Sequence, residues 1–223
     1  LTLALAARRA PAAELAAAAG AWRAAEPKAG DAPYRLGLAL LRLGRAEEAR
    51  DALQEAAALS PNFAPAWLEL GVACSRLDER EAAVGHFARA AELRPGLGQA
   101  YANQGAMLRR LGRHEEARQV YEAGLVQASA PQPLCRNLGN LLTHELCRPD
   151  EAAPHLRRAV DLALERGRPD RVAESDQLLN LNYLPLPAAE VAAEHAAWGR
   201  RQMARAKSTR GSCSRRAAST RWK

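Results

Sequence analysis

The stretch WLELGVACSRLDEREAAVGHFARAAELRP, residues 67–95, decides the fold. Gly71 within it has counterparts at Gly37, Gly105 and Gly139, and consecutive members of this set lie 34 residues apart. A constant interval of this length is typical of a helical repeat, in which one supersecondary unit recurs along the chain. The sequence therefore predicts stacked, similar units instead of one compact core.

Each unit combines small and large residues in a fixed order. In the second unit, Gly71, Ala83 and Ala90 let two helices approach closely, and Trp67 and Phe87 fill the space between them. One helix pair cannot bury its apolar face alone, so neighbouring pairs stack into a superhelix with a concave and a convex side. We therefore predict an all-α solenoid of antiparallel helix pairs.

The pattern resembles the tetratricopeptide repeat (TPR), and this resemblance implies a right-handed TPR α-solenoid. The matching residues of the second unit are Trp67, Leu70, Gly71, Ala83, Phe87, Ala90 and Pro95. The predicted divisions are 1–29, a degenerate or truncated leading repeat; 30–63, 64–97, 98–131 and 132–167, four repeats, the last with a one-residue insertion; 168–206, non-repeat helices; and 207–223, a basic disordered tail.

The first helix of each pair lines the concave groove in such arrays. Two residues before the repeated glycine, the third and fourth units carry Asn103 and Asn137, and the first two carry Arg35 and Glu69. A side-chain amide offers a donor and an acceptor, so stacked asparagines can hold an extended peptide backbone; the alternative is that they simply face water. The candidate groove residues are Asn103, Asn137, Asn140, Glu69, Arg109 and Arg136, the last two with Asn140 favouring acidic partners.

The paired asparagines resemble the ladder that lines the repeat groove of O-GlcNAc transferases and their SPINDLY-type relatives. Residues 181–199, LNYLPLPAAEVAAEHAAWG, are similar to the junction between the repeats and the glycosyltransferase domain of the bacterial members. This resemblance rests on Leu181, Asn182, Tyr183, Pro185, Glu190, His195 and Trp198. It implies a substrate-recruiting arm without its catalytic half, with Tyr183, His195 and Trp198 as interdomain or capping residues.

No hydrophobic strand follows the junction, so the missing domain points to a truncation or a change of reading frame after about Ala206. A start at Leu1 in place of methionine also suggests a fragment. The alternative is a stand-alone scaffold for assembling other proteins, in which the last helix caps the array. A bare apolar strip including Trp198 would favour the first hypothesis, and burial of Trp198 against the fourth unit would favour the second.

Composition narrows the class of partner. The 223 residues are 48% hydrophobic, mostly through alanine, and only 4% aromatic. Nine Lys or Arg and no acid lie between Arg200 and Lys223, which leaves a charge of −2 on residues 1–199 from a total of +7. The tail could bind nucleic acid, but Trp222 is its single aromatic for base stacking. We expect a cytoplasmic protein that binds a protein or an extended peptide, with no membrane span or signal peptide.

Nothing in the sequence indicates catalysis. The four cysteines, Cys74, Cys135, Cys147 and Cys213, show neither a CxxC motif nor a partnered His spacing, so we expect no metal site and no cofactor. The histidines are spread over different helices without an evident partner. The chain as given is predicted to have no enzymatic activity.

Overall fold

The computed structural model describes residues 30–219, and their side chains as far as Met203. Ten α-helices and no strand are present in this part of the chain. They are α1 (Asp31–Arg42), α2 (Ala46–Leu59), α3 (Ala64–Arg76), α4 (Arg80–Leu93), α5 (Gly98–Arg110), α6 (His114–Gln127), α7 (Gln132–His144), α8 (Pro149–Glu165), α9 (Arg171–Leu181) and α10 (Ala188–Ser219). The predicted leading repeat, 1–29, lies outside the described residues.

The first eight helices form four antiparallel pairs, each joined by a short turn. The turns have three residues in the first three pairs and four in the last, Glu145–Arg148. One residue of each turn has a positive φ, and these residues are Gly44, Asp78, Gly112 and Cys147. Glycine and aspartate tolerate this left-handed conformation, whereas it costs about 1–2 kcal/mol for an ordinary residue such as cysteine.

The two helices of each pair touch at the repeated glycine. A Cβ added at Gly37, Gly71, Gly105 or Gly139 would lie within 3.0 Å of a large side chain on the second helix. Those side chains are Leu53, Phe87, Tyr121 and Leu156. Only glycine therefore permits the observed separation of the helices.

One continuous hydrophobic core runs through all four pairs, from Leu40 in α1 to Leu156 in α8. Fully buried alanines such as Ala49, Ala83 and Ala117 keep neighbouring helices close, and Phe87 and Tyr121 are its largest fully buried side chains. The fold class is an all-α solenoid, as the periodicity predicted.

Polar contacts also join successive pairs. They run from Arg76 to the Leu41 carbonyl oxygen, from Arg50 to Glu79 (2.7 Å), from Arg109 to Glu145 and from Arg148 to Glu115 (3.4 Å). Partly exposed ion pairs contribute little to stability. Apolar packing therefore holds the array together, and the polar contacts help to fix its register.

Helix α9 covers the end of the fourth pair. Its N-cap residue Asp170 accepts hydrogen bonds from the backbone N–H groups of Val172 and Ala173. Ala173 joins a second small core with Cys135 on α7 and with residues of α8. The apolar end of the array is thus closed by a helix that does not follow the 34-residue period.

Helix α10 follows a break at residues 182–187 and contacts α9, where Gln202 donates a hydrogen bond to Glu174 (2.9 Å). The sequence predicted a disordered tail from residue 207, but the backbone remains helical to Ser219. Alanine, arginine and lysine are good helix formers, and no proline interrupts this segment. Residues 220–223 lie outside the described part of the chain.

Two glycine substitutions test the close approach. Gly105→Ala would force the new methyl group against Tyr121, so we expect a loss of about 1–3 kcal/mol in the free energy of unfolding. Gly85→Ala is the matched control, because Gly85 lies inside α4 with nothing within 4 Å of an added Cβ; it should gain about 0.5–1 kcal/mol. Urea unfolding followed by circular dichroism measures both values, and equal effects at the two positions would contradict the packing.

Candidate functional site

The first helices of successive units contact one another, α1 with α3 and α5 with α7, and so form the inner surface of the array. A helix turns about 100° per residue, so the residue two before the repeated glycine points about 200° away from it. Since Gly105 faces Tyr121 on α6, Asn103 points away from the second helix. By the same geometry Glu69 and Asn137 point away from α4 and α8.

Asn103 and Asn137 are partly buried, and their side-chain amides have no bonding partner among the described residues. Neither side chain makes a hydrogen bond or ion pair with any described residue. Each amide therefore keeps one acceptor oxygen and two donor hydrogens for a ligand. Among the candidate groove residues, these two are the uncharged ones without a bonding partner in the described part of the chain.

Charged groups mark the first two units of the inner surface. Glu69 is partly buried, and burial raises the pKa of its carboxyl group, while Arg76 and Arg42 act in the opposite direction. Burial and the carboxylate of Glu69 raise the pKa of Tyr34. Arg35 pairs with Asp31 at 2.7 Å. This part of the surface is an ionic patch and does not continue the pair of amides.

The remaining three groove candidates are bound to other parts of the chain. Arg109 forms an ion pair with Glu145, and Asn140 donates a hydrogen bond to Asp176 (2.9 Å). Arg136 lies 3.8 Å from Asp176 and 3.9 Å from Asp170.

Arg109, Arg136 and Asn140 were predicted to favour acidic segments of a partner protein. In the structure, they contact acidic residues of the chain itself. Glu145 lies in the longer fourth turn, and Asp170 and Asp176 belong to α9 and its N-cap, where the 34-residue period does not apply. A comparison of the repeats therefore could not predict where these three acids lie. The single sequence signal was the acid before a helical run at Asp170, which is typical of an N-cap.

A buried polar cluster lies between the third and fourth units. Tyr121 is fully buried, and burial raises its pKa to about 12, while Arg109 acts in the opposite direction. The Tyr121 hydroxyl group and Glu145 Oε2 are buried without a hydrogen-bond partner among the described residues. These two oxygen atoms are buried, whereas the Arg109 and Glu145 side chains as a whole are partly exposed.

The three residues assigned to the junction have different environments. Tyr183 is 53% exposed, and its ring lies edge-on against His144 with centroids 6.2 Å apart. His195 is exposed. Trp198 is partly buried, and its indole Nε1 is buried without a hydrogen-bond partner among the described side chains.

Asn180 was missed by the sequence analysis. It is 1% exposed, and its amide donates hydrogen bonds to Thr143 Oγ1 (2.9 Å) and to the Pro149 carbonyl oxygen (3.2 Å). It thereby fastens α9 to α7 and α8. An asparagine in an apolar helix was its only signal in the sequence.

The titratable groups near apolar surfaces are shifted toward their neutral forms. Burial raises the pKa of the Cys74 thiol to about 11, and it lowers the pKa of His86 and His155. Within residues 30–203, no group of three or more His, Cys, Asp or Glu side chains could hold a metal ion. No helix in the described part of the chain is sufficiently long and apolar to cross a membrane.

The comparisons with known proteins agree with this architecture. Residues 34–63 match one family model of the tetratricopeptide repeat, and residues 98–125 match another. No curated protein shows significant similarity to the sequence. The described part of the chain thus has the fold of a tetratricopeptide-repeat α-solenoid, an architecture that generally serves as a protein-interaction scaffold.

Several solved structures share the fold at low sequence identity. A structure of MamA is 23% identical, with a TM-score of 0.62, and the match covers 68% of this chain and 88% of MamA. PilF of Pseudomonas aeruginosa is 22% identical (TM-score 0.60; 71% and 70% covered). YrrB, described as a TPR protein with an unusual peptide-binding site, is 20% identical (TM-score 0.57; 71% and 78% covered). None of these matches supports the resemblance to glycosyltransferases.

The attachment of α9 yields a prediction. Asn180→Ala removes both amide hydrogen bonds and leaves the buried Thr143 hydroxyl group without this donor, so we expect a loss of about 1–3 kcal/mol in the free energy of unfolding. Asn182→Ala is the control, because Asn182 is exposed and its amide reaches the Leu178 carbonyl oxygen only at 3.4 Å. It should change stability by less than about 0.5 kcal/mol. Equal losses in urea unfolding would show that Asn180 does not fasten the helix.

Proposed function

We propose that this chain binds an extended segment of another protein along its inner surface, with Asn103 and Asn137 bonding to the main chain of that segment. The observation that carries the proposal is the pair of partly buried amides at equivalent positions of α5 and α7, neither bonded to a described residue. Neither amide is among the buried polar atoms without a partner, so both are accessible to water, which the peptide groups of a ligand can replace.

The spacing of the helices suits an extended ligand. Packed helices lie about 8–10 Å apart, and an extended peptide rises about 3.3 Å per residue. Asn103 and Asn137 would therefore meet peptide groups about three residues apart. Because they would bond to the backbone, this contact selects an extended shape and not a particular sequence.

Exposed cations near the ends of the first helices would add a preference for acidic side chains. Arg42 and Arg110 are exposed and make no side-chain ion pair or hydrogen bond with a described residue. They take the role that the sequence analysis gave to Arg109 and Arg136, which pair within the chain. A guanidinium group suits a carboxylate because it can donate two parallel hydrogen bonds.

A double substitution tests the amide pair. Peptides would be selected from a random displayed library on the full chain and measured by fluorescence polarisation. Each hydrogen bond contributes about 1 kcal/mol, so Asn103→Ala/Asn137→Ala should weaken binding roughly 10- to 100-fold. Gln119→Ala on the exposed side of α6 is the control and should leave the affinity unchanged. If all selected peptides bind the double variant as tightly as they bind the parent, the two amides do not contribute to the binding site.

A narrower hypothesis makes this array the recruiting arm of an O-GlcNAc-transferase-like protein. It rests on the resemblance of residues 181–198 to the junction of that family. Sequencing the locus tests it, because an intact reading frame without a transferase-like domain would count against it.

A stand-alone scaffold is the second candidate, and it is favoured by the closure of the fourth pair by α9. Ending the chain after Pro187 distinguishes the role of α10. If α10 caps the array, its removal should lower the unfolding midpoint in urea, because Trp198 and the Gln202–Glu174 hydrogen bond are lost. If α10 leads to another domain, the free energy of unfolding should stay within about 0.5 kcal/mol of the parent.

A further inference from the structure

A groove lies on the outer side of the array, between the second helices of the first two units. It has a volume of about 590 Å³. Its floor is Trp67, Leu70 and Cys74 of α3, and its walls include Ala58 of α2 and Ala82 of α4. It is separate from the inner surface that carries Asn103 and Asn137.

Two alanines open this groove. Ala58 and Ala82 are exposed, whereas the residues 34 positions later, Glu92 and Glu116, carry long charged side chains. Nothing lies within 4 Å of an added Cβ at Gly85, on the same exposed side of α4. The junction of the first and second units therefore offers an apolar channel at a place where the junction of the second and third units carries two glutamates.

The floor of the groove is rigid and uncharged at neutral pH. The Trp67 indole N–H donates a hydrogen bond to the Pro61 carbonyl oxygen (2.9 Å). The imidazole of His86 lies against the indole with ring centroids 5.7 Å apart, and burial lowers its pKa. An aromatic ring that is fixed by a hydrogen bond and flanked by small side chains can pack against a large apolar side chain of a partner.

One end of the groove has an excess of negative charge. Arg50 bonds to both Asp51 and Glu79, and Glu47 lies one helical turn before Arg50 without an ion pair to a described residue. The helix turns at this end thus carry three carboxylates, of which Asp51 and Glu79 bond to the guanidinium group of Arg50. The other end, at Pro61 and Trp67, carries no charge.

We infer that this groove binds a basic amphipathic helix of another protein. The lining of α2 runs from Arg50 to Ala58, which is about 12 Å or just over two helical turns. A docked helix would place apolar residues at i, i+3 or i+4 and i+7 over Trp67 and the alanines. A Lys or Arg at its end would meet Glu47 and Glu79.

The test uses the full chain and two synthetic fluorescent peptides of about 15 residues, long enough to form a helix. Both have the same leucine face, and the polar face is lysine in one and glutamate in the other. We expect the lysine peptide to bind about tenfold more tightly, with an advantage that shrinks as salt screens the carboxylates. Ala58→Gln/Ala82→Gln fills the groove without adding charge and should weaken binding about tenfold.

Two controls separate this site from the inner surface. Ala123→Gln alters an exposed alanine on α6, outside the groove, and should leave binding unchanged, as should Asn103→Ala/Asn137→Ala. Equal binding of the two peptides, or full binding to the filled variant, would overturn the inference. A concentration-dependent dimer in light scattering that the filled variant abolishes would also overturn it, because the occupant would then be a second copy of the chain.

Discussion

The contact on which the structure depends is a side chain lying directly on a glycine of the neighbouring helix. Leu53, Phe87, Tyr121 and Leu156 each occupy the space where a Cβ would stand on the first helix of their pair. Because this contact recurs at one interval, every pair has nearly the same separation, and the pairs must stack to bury their apolar faces. The inner surface, the outer groove and the covered end are consequences of that stacking.

The two proposed binding surfaces consist of side chains that the packing of the helices does not use. On the inner side, packing does not use the residues two before the glycines, and the chain has placed charged groups there in the first two units and amides in the next two. On the outer side, alanine at positions 58 and 82 leaves a channel over Trp67. We propose that the first surface binds the backbone of an extended chain and that the second binds the apolar face of a helix.

The 34-residue interval was enough to predict the all-α solenoid and the resemblance to tetratricopeptide repeats, because both depend on local packing that repeats. It could not predict the partners of Arg109, Arg136 and Asn140, since Glu145, Asp170 and Asp176 lie in a lengthened turn and in a helix outside the period. Asn180 was missed for the same reason. The tail was predicted to be disordered from its polarity, but a polar segment without proline can still be helical.

A double-mutant cycle between Gly105 and Tyr121 tests the central contact most directly. If the ring excludes a Cβ at Gly105, the cost of Gly105→Ala should disappear once Tyr121→Ala has removed the ring, giving a coupling energy of about 1–3 kcal/mol in urea unfolding. Strictly additive effects would contradict the account, because the glycine would then not set the separation of the helices.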